Sequence, residues 1–287
     1  MSPFRFTLLL WILAGCSTPS LVESPKLNIS GVAAVQINGA SLNPQAFSAE
    51  AEFLFPEEMQ AVRRALLRSE IARLEGTRLQ IEIPPEEIQR TLEQTVQDLE
   101  SNLGGRDHFE AWCQSRWGCS RAGFEVSLRQ RLADNLLYQR VMRAGSFQDG
   151  SWVVLAVSAR SFEEAEDFGE RLQLGADPRE WGVPVQKEVL QSYCVEPIAG
   201  ELDSAEAGDV IGPFRLEGDS NWFLFRILES RAKTEYLPPR DVLRQDLTDL
   251  PPGPIEARSW WEEMLRRYTA SESPSAILKP TRSFGVF

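Results

Sequence analysis

The chain has 287 residues, with 30 Lys and Arg against 42 Asp and Glu, and a formal net charge of −12. Nucleic-acid binding requires clustered basic side chains that neutralise phosphates, and the chain carries neither such a cluster nor a basic stripe. The negative charge also repels anionic lipid head groups. Because 43% of the residues are apolar, the chain is long enough to bury two modest hydrophobic cores. Composition therefore favours an acidic protein of two domains that does not bind nucleic acid.

The first predicted element is an export signal. Arg5 precedes a short apolar run, far below the roughly 20 residues that span a bilayer. Leu-Ala-Gly-Cys follows at residues 13–16, and this pattern resembles the lipobox of bacterial lipoproteins. The resemblance implies that residues 1–15 are removed and that the Cys16 thiol receives diacylglycerol. A plain signal peptide with an incidental cysteine is the alternative. Lipoproteins that stay in the inner membrane of many Gram-negative bacteria carry Asp directly after the lipidated cysteine. This chain has Ser17 there, so the resemblance favours the outer membrane.

The next elements are a tether and a short strand. Residues 16–30 lack apolar periodicity and are predicted to be an extended tether. Residues 32–39 favour a strand that ends in an Asn-Gly turn. Asn43 followed by Pro44 is typical of a helix cap with proline at the first helical position.

Helical periodicity dominates the first 150 residues after this turn. The first long helix begins near Pro56, and Gly76 is predicted to end it. Its apolar face is predicted from Met59, Val62, Leu66, Leu67, Ile71 and Leu74. Two prolines and two acids at residues 84–87 predict the start of the next helix, and the two glycines at residues 104–105 predict its end. Further helices are predicted around Phe109 and from Phe124 onward.

The pattern then changes to that of a small mixed domain. Residues 152–157 form a continuous apolar run of strand length, and Ser161 is predicted to begin a helix that ends near Gly175. The stretch around Trp181 is predicted to be irregular. Two strands joined by a turn at residues 217–219 are predicted to form a terminal hairpin. Helices resume towards the C-terminus, so the overall prediction is an α+β fold.

These helical segments resemble the chaperone domain of the SurA/PrsA-type periplasmic foldases. The similarity covers the strand with the Asn-Gly turn, the helical residues 66–74, the helix start at residues 84–88 and the segment 109–142. Residues 257–266 are similar to the C-terminal helix that packs back onto this domain in the family. The resemblance implies a helical chaperone-like domain formed by residues 31–150 and completed by residues 233–287.

The segment between these parts resembles a parvulin (PpiC-like) domain. The similarity covers residues 151–232 and is clearest at residues 163–165, 172–176 and 207–214. Parvulins carry one histidine on the first strand and another on the last strand. Here Phe223 stands at the latter position, no histidine lies near Trp152, and the Gly-Gly-X-Gly loop of the family is absent. The resemblance therefore implies a degenerate parvulin-like domain, with no catalytic residue that can be assigned.

Other chemistry has little support in the sequence. His108 is the only histidine, and no nucleophile motif of the Gly-X-Ser-X-Gly type occurs. The spacing of His108, Cys113 and Cys119 matches no common zinc pattern, so no metal or cofactor is predicted. In an exported protein, Cys113 and Cys119 are instead predicted to form a disulfide, and Cys194 to be a buried thiol. The acids that follow Phe162 are predicted to be solvated, and most tryptophans to lie in the core.

The expected function is that of a lipid-anchored envelope protein facing the periplasm. We expect it to hold or guide unfolded or exported polypeptides, including outer-membrane proteins, through apolar contacts. Two alternatives remain. The first is a weak peptidyl-prolyl isomerase that uses groups other than histidine to lower a barrier of about 18–20 kcal/mol. The second is a structural subunit that binds one folded partner in an envelope complex.

Overall fold

The structure is a computed structural model that describes residues 36–37, 40–41, 43–194 and 196–269. The predicted signal peptide at residues 1–15, the lipidation site Cys16 and the tether at residues 16–30 lie outside the described residues. In the described part of the chain, no helix is both long enough and apolar enough to cross a membrane.

The fold is α+β, as the sequence predicts. Strands β1 (Gln36–Ile37) and β2 (Ala40–Ser41) pair antiparallel. The predicted Asn-Gly turn at residues 38–39 lies outside the described residues. The helices that follow are α1 (Pro44–Leu54), α2 (Pro56–Leu79), α3 (Pro85–Leu103), α4 (Arg106–Trp112) and α5 (Arg121–Gln148). A π-helical turn, Cys113–Trp117, directly follows α4.

The second half of the described chain contains a four-stranded antiparallel sheet. Its elements are β3 (Ser151–Ala159), α6 (Phe162–Gln173), β4 (Val185–Gln191), α7 (Ile198–Leu202), β5 (Val210–Arg215) and β6 (Trp222–Arg231). The strand order is β4-β3-β6-β5, and the predicted hairpin is the pair β5–β6. Helices α8 (Arg240–Asp249) and α9 (Pro254–Thr269) follow.

Local capping signals fix several helix ends where they were predicted. The Asn43 side chain accepts a hydrogen bond from the backbone N–H of Gln45 at 3.0 Å. Ser161 accepts one from Glu164 at 3.1 Å. Gly104 ends α3 in the left-handed conformation, with φ of 88°. Each of these caps satisfies backbone groups that have no partner inside the helix.

The prediction that Gly76 ends its helix is wrong, because α2 continues to Leu79. A Cβ atom at Gly76 would lie 3.0 Å from Leu137 Cδ1 and 3.2 Å from the Ile81 carbonyl oxygen. The glycine therefore permits a close approach of α5 and of the chain after α2. Its role is packing and not helix termination.

The stretch predicted to be irregular contains strand β4, which the sequence pattern did not indicate. It pairs antiparallel with β3, placing Glu188 opposite Val154. Three polar residues in succession, Gln186, Lys187 and Glu188, interrupt the apolar run that marks a buried strand. Pairing with β3 and burial of the strand's C-terminal half outweigh this weak local preference.

The described chain forms two compact units. One contains the described residues up to Ser69 together with residues 84–133, and the other contains Glu70–Ile83 and the described residues from Asp134 onward. The sheet and helices α8 and α9 belong to the same unit. The predicted limits of a chaperone-like domain (31–150 with 233–287) and an inserted parvulin-like domain (151–232) stay a prediction.

Candidate functional site

Phe223, which the sequence resemblance predicts to replace the parvulin histidine, lies on the inner strand β6. It pairs with Ser158 on β3 and with Phe214 on β5. Its ring stacks on that of Phe225, with 6.5 Å between the centroids and 5° between the planes. Phe225 is fully buried and also stacks on Phe214. Side chains two residues apart on a strand share one face of the sheet, so the three rings form one aromatic layer.

This aromatic layer belongs to a hydrophobic core that covers one face of the sheet. Phe223 packs against it, and its buried members are Val154, Ala156, Leu190, Cys194, Ile198, Leu202, Ile211, Phe214, Leu216, Phe225, Ile227 and Ile255. Cys194 is therefore a buried thiol, as predicted. A phenyl ring neither accepts nor donates a proton, so Phe223 supplies apolar contact and no acid–base chemistry. The absence of a catalytic residue stays a prediction.

His108 and the predicted disulfide cysteines lie in the other compact unit. His108 is exposed on α4. Cys113 is fully buried and Cys119 is half-buried, and both are free thiols in the structure. Within the described residues, no group of three His, Cys, Asp or Glu side chains could hold a metal ion. The disulfide between Cys113 and Cys119 stays a prediction.

The environment of these cysteines sets their reactivity. Burial raises the pKa of the Cys113 thiol to about 11, and burial also raises the pKa of Cys119. Both thiols are therefore protonated at neutral pH. Because the thiolate is the reactive form, exchange at this pair is slow unless the cluster opens.

The predicted burial of the tryptophans is correct only in part, whereas the predicted exposure of the acids on α6 is correct for Glu163 and Glu166. Trp260 is buried, whereas Trp112 and Trp117 are half-buried against the core of α3, α4 and α5. The acids Glu163 and Glu166 are exposed on α6, as predicted for a solvated face.

Exposed apolar side chains concentrate on α1 and the first half of α2. We name this region the α1–α2 surface, and it consists of Phe47, Phe53, Leu54, Phe55, Val62 and Leu66. Phe53 is 81% exposed and Leu66 is 66% exposed. On the predicted apolar face of α2, Ile71 is buried, whereas four residues are exposed: Val62, Leu66, Leu67 and Leu74. Apolar spacing shows which side chains share a helix face, but it does not supply a partner for them.

Short-range contacts hold α1 and α2 together at this surface. The backbone N–H of Phe55 bonds to the Ala51 carbonyl at 2.8 Å, and the N–H of Met59 bonds to the Phe55 carbonyl at 2.9 Å. The chain therefore passes from α1 to α2 with only Phe55 between them. An ion pair between Glu52 and Arg63 links the two helices farther along. The aromatic and aliphatic side chains of this surface therefore lie on both helices and at the one-residue connection between them.

A second notable site is a buried carboxylate at the start of α9, which the sequence did not predict. Glu188 on β4 is fully buried, and its Oε1 accepts hydrogen bonds from the backbone N–H groups of Ile255 and Glu256, the latter at 3.0 Å. A Cβ atom at Gly253 would lie 2.5 Å from Glu188 Cδ, so only glycine fits there. Burial raises the pKa of Glu188 to about 8. Glu188 thus caps α9 from the sheet and is mostly protonated at neutral pH.

Next to Glu188, Arg143 connects α5 to α8 and α9. Its guanidinium donates to both carboxylate oxygens of Glu256 at 2.9 and 3.0 Å, to the Leu250 carbonyl at 2.8 Å and to Asp246. Arg143 and Glu256 are both fully buried. Burial lowers the pKa of Arg143, but Glu256 and Asp246 outweigh it and raise the pKa overall. We call Glu188, Arg143, Glu256 and Asp246 the charged junction.

Comparisons with known proteins give a weak structural likeness. No model of a protein family matches the chain, and no curated protein matches it. A structure of SurA-like chaperones from Campylobacter jejuni, reported for PEB4 and Cj1289, is 13% identical with a TM-score of 0.26, covering 84% of this chain and 95% of that chain. The foldase PrsA from Streptococcus pneumoniae is 11% identical with a TM-score of 0.29, covering 83% and 89%.

PrsA from Bacillus subtilis is likewise 11% identical, with a TM-score of 0.28, covering 85% of this chain and 94% of that chain. At these TM-scores the likeness establishes neither a common fold nor a function.

Proposed function

We propose that this protein is a lipid-anchored chaperone of the cell envelope that holds or guides unfolded, exported polypeptides. The observation that carries the proposal is the α1–α2 surface, where six large apolar side chains are exposed on two consecutive helices. Concentrated apolar exposure of this kind is typical of interaction sites. Binding there needs neither ATP nor covalent chemistry, because removal of apolar area from water contributes about 25 cal/mol per Å².

The proposal includes weak or absent isomerase activity. Catalysis of X-Pro rotation requires groups that favour the twisted amide over the planar one. The stacking of Phe223 on Phe225 supports this part of the proposal, since the predicted position of the parvulin histidine holds an apolar ring packed against a hydrophobic core. An isomerase assay with a proline peptide tests it. Turnover comparable to that of an active parvulin would contradict the proposal.

The proposed location is the periplasmic side of the envelope, with the outer membrane favoured over the inner. Its support is the lipobox at residues 13–16 and the serine that follows it. The mature chain is then expected to begin at a lipidated Cys16. Mass spectrometry of the envelope protein tests this, and an unmodified N-terminus at another residue would exclude the anchor.

A pair of matched double variants tests the holding function. Phe53→Ser with Leu66→Ser removes two exposed side chains of the α1–α2 surface. The control, Leu174→Ser with Tyr236→Ser, removes two side chains that are 88% and 83% exposed elsewhere. We expect the first variant to lose most suppression of aggregation of a urea-unfolded outer-membrane protein, and the control to retain it. Equal activity in both variants would exclude the α1–α2 surface as the holding site.

A further inference from the structure

The α1–α2 surface carries acids among its exposed apolar residues. Glu50 comes three residues after Phe47 and four before Leu54, and Glu58 comes four residues before Val62. Residues three or four apart lie on the same side of a helix. Both glutamates are exposed. The carboxylates and the apolar side chains are therefore presented on the same sides of the two helices.

Neither Glu50 nor Glu58 has a basic residue one helical turn away that could form an ion pair with it. No residue three or four positions from Glu50 or Glu58 is basic. The arginines of the same stretch have other partners, since Arg63 pairs with Glu52 and Arg64 donates to Gln60. The negative charge of the surface is thus available to a bound polypeptide.

Helix stabilisation explains only one of the two acids. Glu58 lies in the first turn of α2, where the helix dipole favours a negative charge. Glu50 lies in the C-terminal half of α1, where an acid gains nothing from the dipole. Glu50 lies beside Phe47 and Leu54, where its carboxylate complements a ligand that brings a positive charge.

We propose that the α1–α2 surface selects extended polypeptide segments in which Lys or Arg stands next to apolar side chains. This inference rests on the proposed function and names the class of client that it prefers. Apolar contact provides the affinity, and the carboxylates favour a basic neighbour over an acidic one. The net charge of −12 acts in the same direction at longer range, because it raises the local concentration of basic segments.

Three fluorescent peptides test the preference. They share one sequence of apolar residues and differ at two flanking positions, which hold Lys, Ser or Glu. We expect the Lys peptide to bind the purified protein about three- to tenfold more tightly than the Glu peptide at low salt, as exposed ion pairs are individually weak. The ratio should approach one in about 0.5 M salt, where screening shortens the range of charge interactions.

Two double variants locate the effect. Glu50→Gln with Glu58→Gln removes the two carboxylates of the surface, and Glu163→Gln with Glu166→Gln makes the same change in net charge on α6. We expect the first variant to lose most of the Lys-over-Glu preference and the second to keep it. An equal loss in both variants would assign the preference to the net charge and overturn the inference.

The remaining outcomes separate this inference from the proposed function. If all three peptides bind equally and Phe53→Ser with Leu66→Ser abolishes binding, holding at the surface stands and the preference for basic segments is wrong. If the Glu peptide binds most tightly, the preference is also wrong. If no peptide binds and the protein does not suppress aggregation, both the inference and the proposed function are wrong.

Discussion

The α1–α2 surface and the charged junction use their side chains in opposite ways. At the α1–α2 surface, Phe53 and Leu66 are largely exposed and the charged residues lie in water. At the charged junction, the ion pair of Arg143 with Glu256 is fully buried, and the mostly protonated Glu188 is buried beside Glu256. An exposed apolar side chain contributes little to the stability of its own fold. A buried charge, in contrast, stabilises only the one arrangement that supplies its partners.

This difference separates the two regions by role. Substitutions on the α1–α2 surface should change binding and leave folding intact, whereas substitutions in the junction should change folding. The junction also connects α9 to the sheet through Glu188. Deletion of residues 151–232 would consequently remove the cap of α9 as well as the parvulin-like segment. Point substitutions are thus a cleaner way to separate the roles of the two regions.

The largest effect is expected for Arg143→Ala. The change leaves the buried carboxylate of Glu256 and the Leu250 carbonyl without their donor. Loss of one partner of a buried ion pair costs about 3–5 kcal/mol. Chemical denaturation is expected to show a loss of this size in the free energy of unfolding, or failure to fold.

Arg73→Ala is the control for this comparison. The Arg73 side chain is 50% exposed and pairs with Glu70 and Asp134. An exposed pair of this kind contributes about 0–1 kcal/mol. If Arg143→Ala costs no more than Arg73→Ala, the junction does not stabilise the fold as described.

A somewhat smaller effect is expected for Glu188→Gln, and it should depend on pH. Burial raises the pKa of Glu188 from its ordinary value of 4.5 to about 8. The stability that the protonated carboxyl contributes is therefore fully present below pH 4.5 and is lost as the pH rises through about 8. The amide of glutamine still accepts from the α9 backbone and cannot ionise.

The measurement is the free energy of unfolding of both proteins between pH 5 and pH 9. We expect the wild-type protein to lose a few kcal/mol relative to Glu188→Gln over this range, since one pKa unit corresponds to about 1.4 kcal/mol. Titrations elsewhere cancel in the difference between the two proteins. A constant difference across the range would show that Glu188 does not titrate at the junction.

A medium effect is expected from oxidation of Cys113 and Cys119, which lie in a third region, the aromatic cluster around Phe109. A disulfide closing so short a loop stabilises by about 2–3 kcal/mol in the chain-entropy model. Denaturation of envelope-derived protein with and without reductant should show this difference, and Cys119→Ser should abolish it. The prediction fails if alkylation without reductant labels both thiols.

The sequence predicts those parts of the fold that local chemistry decides. The caps at Asn43, Ser161 and Gly104 depend on groups within a few residues, so their sequence patterns suffice. Strand β4 was missed because pairing with β3 decides it, against the local polar residues. Gly76 was misassigned because its role depends on Leu137, which lies far along the chain.

In the candidate sites, too, the sequence predicts what depends on nearby residues and misses what depends on distant ones. Phe223 could be singled out from the sequence because the family resemblance marks its position, but its stacking on Phe225 requires the sheet. Glu188 gave no signal, since the backbone groups that it caps are 67 and 68 residues away. The exposure of Val62 and Leu66 could not be predicted either, because periodicity defines a face without defining what covers it.

The smallest effect on stability is expected on the α1–α2 surface itself. Phe53→Ser with Leu66→Ser replaces side chains that already lie mostly in water. Substitutions at such positions usually change the free energy of unfolding by less than about 0.5 kcal/mol each. Thermal and chemical denaturation of the double variant should therefore match the wild-type protein while aggregation suppression falls. A large loss of stability would mean that these side chains are covered in the folded protein, and the two regions would then no longer differ in role.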